Sequence, residues 1–315
     1  MGAQPIVPYE DEDSWWDSVE KGEDAVLGKA ARHEWAMLEN TDVYLHMWGP
    51  GDRMHLNALD QARRERVFEF NPRWYKTAQR AGVRGARLEL GRPYPTLARA
   101  YGVDQSEWLN QIVSAMMVTP DEMKKTAAPV VKALHRGKRL RIRDGNGTDL
   151  TLGLLGRPVQ SEIGRSTLAE RKKPFGSLIM LPGGSVRVAL DETVADGTLI
   201  ANRTTYYDDG KATGGVFRFR RGRLVESEVA EGQEHFDVPY KTGGKGRDRP
   251  GVLSVGLNPC LRNTPQVEER ELGAVLVSVG GNSYQGGRNN STFYGTVLIE
   301  GASMEIDGKP VSLSR

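Results

Sequence analysis

The sequence predicts an α/β domain with a mostly parallel sheet over residues 1–140, followed by a β-rich α+β domain over residues 141–315. Three observations carry this reading. All six tryptophans, Trp15, Trp16, Trp35, Trp48, Trp74 and Trp108, lie in about the first third, while most of the 37 glycines lie beyond them. The spacing of apolar residues changes from three or four to two near Lys138. A strong helix start, Thr119-Pro120-Asp121-Glu122, and a strong hairpin turn, Asp144-Gly145-Asn146-Gly147, stand on either side of that change.

In chain order, the acidic stretch Glu10 to Asp13 leads into Trp15-Trp16. Lys29 to Asn40 reads as a helix. Val43 to Trp48 reads as a strand closed by Gly49-Pro50-Gly51, and Leu56 to Glu69 as a charged helix. Arg87 to Leu90 reads as a short strand. Asp104 opens a helix that places Trp108, Ile112, Ala115 and Met116 on one face. In the next helix Thr119 accepts from first-turn amides, Pro120 suits the first helical position and Glu122 completes a capping box. Its buried stripe is Met123, Ala127, Val130 and Leu134, and Gly137 ends it. Beyond it, strands are expected at Arg139–Arg143, Asp149–Leu155, Ser177–Leu181, Val186–Leu190, Thr198–Asn202, Val216–Arg220, Val252–Gly256, Ala274–Val279 and Ser303–Ile306. Asp307-Gly308 reads as the last hairpin turn.

Composition removes several classes of function. The 43 basic and 41 acidic residues leave a net charge of +2, without the basic surplus that phosphate-backbone binding needs, so no nucleic acid is expected. Mean hydropathy is −0.51 and no apolar run approaches the ~20 residues of a spanning helix, so no membrane partner is expected. The single cysteine, Cys260, excludes a disulfide framework and a cysteine-rich zinc module, and points to the cytoplasm.

Few motifs carry chemistry. No phosphate loop, Rossmann fingerprint or nucleophile elbow is present. Gly243-Gly244-Lys245-Gly246-Arg247 reads as a basic surface loop, and Cys260 as a buried thiol with no neighbouring histidine. His235 and Asp237 would share one face if their segment were a strand, with Glu231 and Glu234 nearby. The glycine-bracketed run from Gly280 to Thr292 concentrates amides and hydroxyls. Its Asn282, Ser283, Tyr284 and Asn290, with Thr292 and Tyr294, are the expected ligand-binding residues.

The second half resembles the thermophilic metallo-aminopeptidases of the aminopeptidase T and S type and their relatives, the ring-cleaving dihydroxypyridine dioxygenases. The resemblance rests on Gly147-Thr148-Asp149-Leu150-Thr151-Leu152, Leu181-Pro182-Gly183-Gly184-Ser185, Gly197-Thr198-Leu199, Ser254-Val255-Gly256-Leu257-Asn258-Pro259, Leu272-Gly273-Ala274-Val275, Asn289 to Gly295 and Asp307 to Val311. It runs from about Pro120 to the C-terminus and is thin before that. It implies an aminopeptidase T/S-like fold, a homodimer and a remnant cleft in the second domain. In that family a metal cluster does the chemistry. Here the positions that the resemblance assigns to its ligands hold Ser185, Val252, Leu276, Thr292 and Tyr294. The expectation is therefore a pseudoenzyme without cofactor, a binding or accessory protein for a peptide or small aromatic compound, as in peptide natural-product maturation. Two alternatives stand beside it. One is a metal-independent enzyme using Tyr294, Thr292 and Ser185. The other is a metallohydrolase or dioxygenase with ligands relocated to His235, Asp237 and Glu231.

Overall fold

The structure is a computed structural model, and it describes residues 2–8, 11–47, 59–67, 69–171, 178–207 and 210–313. Glu10, Trp48, the Gly49-Pro50-Gly51 turn, Leu56 and Ser177 lie outside the described residues. The helices are α1 (Glu12–Lys21), α2 (Arg32–Glu39), α3 (Gln61–Val67), α4 (Asn71–Ala81), α5 (Pro95–Tyr101), α6 (Gln105–Met116), α7 (Pro120–Arg136), α8 (Leu168–Arg171) and α9 (Glu234–Thr242). The strands are β1 (Val43–Met47), β2 (Arg84–Leu88), β3 (Arg139–Arg143), β4 (Asp149–Gly153), β5 (Gln160–Glu162), β6 (Leu178–Leu181), β7 (Ser185–Ala189) and β8 (Ala195–Tyr207). They continue as β9 (Gly210–Arg220), β10 (Arg223–Glu231), β11 (Pro250–Gly256), β12 (Val275–Gly280), β13 (Tyr294–Ile299), β14 (Ser303–Ile306) and β15 (Lys309–Val311).

Three sheets form among the described residues. β1-β2-β6 is parallel, whereas β10-β9-β8-β4-β3-β14-β15 and β13-β12-β11-β7-β5 are antiparallel. The chain thus combines helices, one parallel sheet and two antiparallel sheets. The third strand of the parallel sheet, β6, comes from beyond residue 140, so this sheet crosses the expected division of the chain.

Local signals act as their chemistry dictates. Glu122 N donates to Thr119 Oγ1 at 3.3 Å while Thr119 N donates to Glu122 Oε2 at 3.0 Å, closing the capping box of α7. Met123, Ala127, Val130 and Leu134 are its buried residues. In the β3–β4 hairpin, Asp144 Oδ1 accepts from the amides of Asn146 (2.8 Å) and Thr148 (2.9 Å).

The stripe of α7 joins residues of both antiparallel sheets, such as Leu140, Leu152 and Phe217 from one and Val186, Leu253, Val277 and Ile299 from the other, in one continuous core. A second cluster packs Leu97, Tyr101, Trp108 and Ile112 against Leu261 and Val267.

Four strands are not among those expected from the apolar spacing, namely β5, β10, β13 and β15, and each is a sheet edge. β5, β10 and β15 bury few side chains, so their alternation is weak, whereas β13 is buried over residues 297–299 without alternation. The strand expected at Arg87–Leu90 is instead Arg84–Leu88, followed by a 3₁₀ turn over Glu89–Gly91.

Candidate functional site

The five-stranded sheet has two unlike faces. Val186, Val188, Leu253, Val255, Val275, Val277, Val279, Val297 and Ile299 enter the core. Alternation sends Ser185, Arg187, Val252, Ser254, Leu276, Ser278, Tyr294 and Thr296 to the other side. Register then builds a row across the strands: Arg187 pairs with Ser254, Ser254 with Leu276 and Leu276 with Leu298. Four of the positions that the resemblance singled out, Ser185, Val252, Leu276 and Tyr294, thus share one face of one sheet. The fifth, Thr292, is exposed just ahead of β13.

Arg187 stands at the centre of the electrostatics. Its Nη2 lies 3.0 Å from Glu269 Oε1 and its Nη1 lies 3.4 Å from Glu162 Oε1. From Glu269 the chain of charges continues through Arg270 Nε (3.1 Å) to Glu89, 3.6 Å from Arg270 Nη2, and on to Arg92 Nε at 2.8 Å. Three acids and three bases alternate and cancel, which lets largely buried charges coexist. Burial works against ionisation of Glu162, but Arg187 and Arg270 overcome it and hold this carboxyl below its ordinary range. Ser185 Oγ donates to Glu162 Oε2 at 3.2 Å.

Two tyrosines stand over this face. The rings of Tyr284 and Tyr294 meet edge to face at 5.7 Å and 74°, and both residues keep over a third of their surface in solvent. Burial of its hydroxyl, and then Tyr294, push the ionisation of Tyr284 well above the ordinary tyrosine range, so it stays a neutral hydroxyl. Ser254 Oγ, on the same face, and Gln285 Oε1, next to Tyr284 in the chain, are buried without a hydrogen-bond partner.

The glycine-rich loop divides by exposure. Asn282 is 0% exposed, and its Nδ2 donates to Glu192 Oε1 (2.9 Å) and the Gly251 carbonyl (3.1 Å) while its Oδ1 accepts from Asn289 N (3.0 Å). Asn289 Nδ2 in turn reaches the carbonyls of Gly246 and Gly280, both at 2.8 Å. Asn282 is thus spent on holding the loop, and the basic Gly243–Arg247 segment braces it. Glu192 anchors it further: burial opposes its ionisation, yet bonds from Arg157, Arg288 N and Asn282 bring its pKa down to about 2. Ser283, Tyr284, Asn290, Thr292 and Tyr294 remain exposed.

The His235–Asp237 segment is helical, in α9, and not a strand, so the two side chains do not share a face. His235 stacks on Tyr207 at 5.4 Å, and Asp237 Oδ1 accepts from Gln233 Nε2 at 2.7 Å. Glu231 ends β10. Among the described residues no group of three or more His, Cys, Asp or Glu side chains is placed to hold a metal ion. Cys260 is partly buried beside the Trp108 cluster.

The Asn258 and Gly184 motifs serve the framework. Asn258 Nδ2 donates to the carbonyls of Ala115 (3.0 Å) and Gly183 (2.9 Å), and a side chain at Gly184, at φ +136°, would meet Asn258. Reading the motifs alone missed Arg187, Glu162 and Glu269. The usable signal was Arg187 itself, a charge two residues from Ser185 on an otherwise apolar strand.

The model of a family described as thermophilic metalloprotease (M29) matches residues 1–242. The chain belongs to this family. The match takes in the whole first half, where the motifs that carry the resemblance are few. Wild-type AmpT from Thermus thermophilus shares the fold at a TM-score of 0.66 and 20% identity, over 96% of this chain and 84% of that one. The 2,5-dihydroxypyridine dioxygenase of Pseudomonas putida KT2440 does so at 0.55 and 14%, over 97% and 98%. No curated protein matches the chain in sequence.

The metalloprotease fold implies a metal, and the residues on this face do not fit one. Val252 and Leu276 carry no donor atom, and the hydroxyls of Ser185, Thr292 and Tyr294 do not form the nitrogen, sulfur or carboxylate set that zinc takes. Arg187 adds a charge that cannot be removed by deprotonation.

Proposed function

We propose that this chain is a binding or accessory protein on the metalloprotease scaffold, taking up a peptide or a small aromatic compound at the face of the five-stranded sheet opposite the shared core, without a metal. One observation carries the reading: Arg187 holds a permanent positive charge between Glu162 and Glu269, amid Ser185, Ser254 and Leu276. The carboxylates nearest this row spend oxygens on the guanidinium, and a divalent cation brought beside it meets Coulombic repulsion. Tyr284 and Tyr294 offer flat faces with hydroxyl tips, suited to a peptide plane or a heterocycle. The unpartnered Ser254 Oγ and Gln285 Oε1 supply a donor and an acceptor for a ligand that reaches them. Ser283, Asn290 and Thr292 form the polar rim, and Asn282 shapes the loop from within.

Hydrolysis of a peptide bond needs an activated water and a stabilised oxyanion. Ser185 and Glu162 come nearest to a nucleophile and base, but a carboxylate held below its ordinary range is a weak base at neutral pH. That disfavours the enzyme reading through Ser185, Thr292 and Tyr294. The proposal includes a homodimer acting in the cytoplasm, in a role such as peptide natural-product maturation.

The test has two arms. Elemental analysis of untagged protein is expected to find well below one equivalent of zinc, cobalt, manganese or iron; a stoichiometric metal that survives chelation overturns the reading. Calorimetry with candidate peptides, followed by mass spectrometry of the same mixtures, is expected to show binding without cleavage. Tyr294→Phe combined with Asn290→Ala should weaken that binding while the circular dichroism spectrum stays unchanged.

A further inference from the structure

A cavity of about 640 Å³ lies on the parallel sheet. Its floor is β1 and β2, with Tyr44, His46 and Arg87; its walls carry Trp15 from α1 and Trp74 and Tyr75 from α4. The volume falls within the ~300–1,000 Å³ of small-molecule sites. The rings hold one another in place. Tyr44 and Trp74 meet at 5.1 Å and 64°, Trp74 and Tyr75 at 5.2 Å and 81°, and Tyr44 and His46 stack at 6.1 Å.

The charged groups that line the cavity are two bases, Lys29 and Arg87, and two acids, Asp11 and Glu34. Arg87 is the register partner of His46 across the β1–β2 pair, so a guanidinium faces the cavity beside an imidazole. Burial, and then the charge of Arg87, bring His46 down to a pKa of about 4, leaving it neutral at pH 7. The acids at the rim are otherwise engaged. Asp11 Oδ2 accepts from Ser14 N at 2.9 Å to cap α1, and Glu34 Oε1 accepts from Ala31 N at 2.7 Å to cap α2.

We propose that this cavity is a second binding site, for a small planar aromatic carboxylate whose ring lies among Trp15, Trp74 and Tyr75 and whose carboxylate meets Arg87. The rings supply faces and edges for a flat apolar ligand. The guanidinium supplies a charge-assisted pair for a carboxylate and opposes a cation of the same shape. This assignment is independent of the reading of the five-stranded sheet.

The experiment is titration calorimetry of the full chain with three probes: indole-3-acetate, tryptamine (the same ring with a cation) and acetate (the same anion without a ring). Indole-3-acetate should bind saturably at one site, and the other two at least about tenfold more weakly, the worth of one charge-assisted contact. Arg87→Gln should weaken indole-3-acetate by about tenfold or more. Arg87→Lys should keep part of the affinity, and Tyr294→Phe with Asn290→Ala should leave it unchanged. Should Arg87→Gln fail to fold, the wild-type indole N–H resonances of Trp15 and Trp74 serve instead, shifting with indole-3-acetate and not with acetate. No saturation up to roughly 1 mM, a tryptamine affinity equal to that of indole-3-acetate, or binding insensitive to Arg87→Gln overturns the proposal, since contacts of this kind predict micromolar to sub-millimolar affinity. So does a loss caused by the Tyr294 and Asn290 changes, which would move the site to the five-stranded sheet.

Discussion

Leu253 and Ser254 are neighbours on β11, both almost without solvent exposure, yet they live in opposite worlds. Leu253 points into a core of valines, leucines and isoleucines contributed by two sheets. Ser254 points to the face of Arg187, Leu276 and the tyrosines, with its hydroxyl unpartnered. One face is satisfied by volume alone. The other depends on charges and hydrogen bonds meeting their partners, and it is there that unsatisfied groups remain. A folded chain seldom leaves a buried hydroxyl without a partner unless something else supplies one.

Substitutions on the two faces sharpen this contrast. The largest effect is expected from Leu253→Ala, which removes a fully buried side chain from the shared core; urea unfolding should show a loss of about 3 kcal/mol. Arg187→Ala comes next. It leaves Glu162 and Glu269 without their common partner, and the expected loss is about 2 kcal/mol, between the ~1 kcal/mol of an exposed pair and the ~3–5 kcal/mol of a fully buried one, because all three side chains keep some solvent contact. That loss should be greater at pH 7 than at pH 4, where protonation relieves Glu162, the carboxyl that Arg187 holds below its ordinary range. An equal loss at both pH values would mean that Arg187 acts only by packing.

Glu192 provides a smaller, pH-dependent effect. Its folded pKa of about 2 lies below the ordinary 4.5, so its contribution is fully present above pH 4.5 and is lost as pH falls toward 2. Glu192→Gln should therefore flatten the acid limb of the stability curve between those values, and a limb that keeps its slope would remove Glu192 as the anchor of the glycine loop. The smallest effect belongs to Ser254→Ala. It deletes a hydroxyl that has no partner, so the change should stay within about 0.5 kcal/mol and be neutral or stabilising. A loss approaching that of Leu253→Ala would show that the two faces are not different in kind.

The sequence by itself determined the parts whose partners are close in the chain. Thr119 and Glu122 close their capping box within one turn, and Asp144 folds its own hairpin within four residues. The alternation of β11 and β12 already separated two faces, because side chains on a strand point to opposite sides in turn. The resemblance marked Ser185, Val252, Leu276 and Tyr294, and the fold puts them on one face. Tertiary structure alone decided the rest. It drew β6 into the parallel sheet across residue 140 and made α9 of a segment that composition allowed as a strand. It turned Asn282 inward and brought Glu89, Glu162, Arg187, Glu269 and Arg270 into one chain of charges. Periodicity reports which residues share a face, whereas the covering of that face, and which distant charges meet on it, are settled only when whole sheets pack.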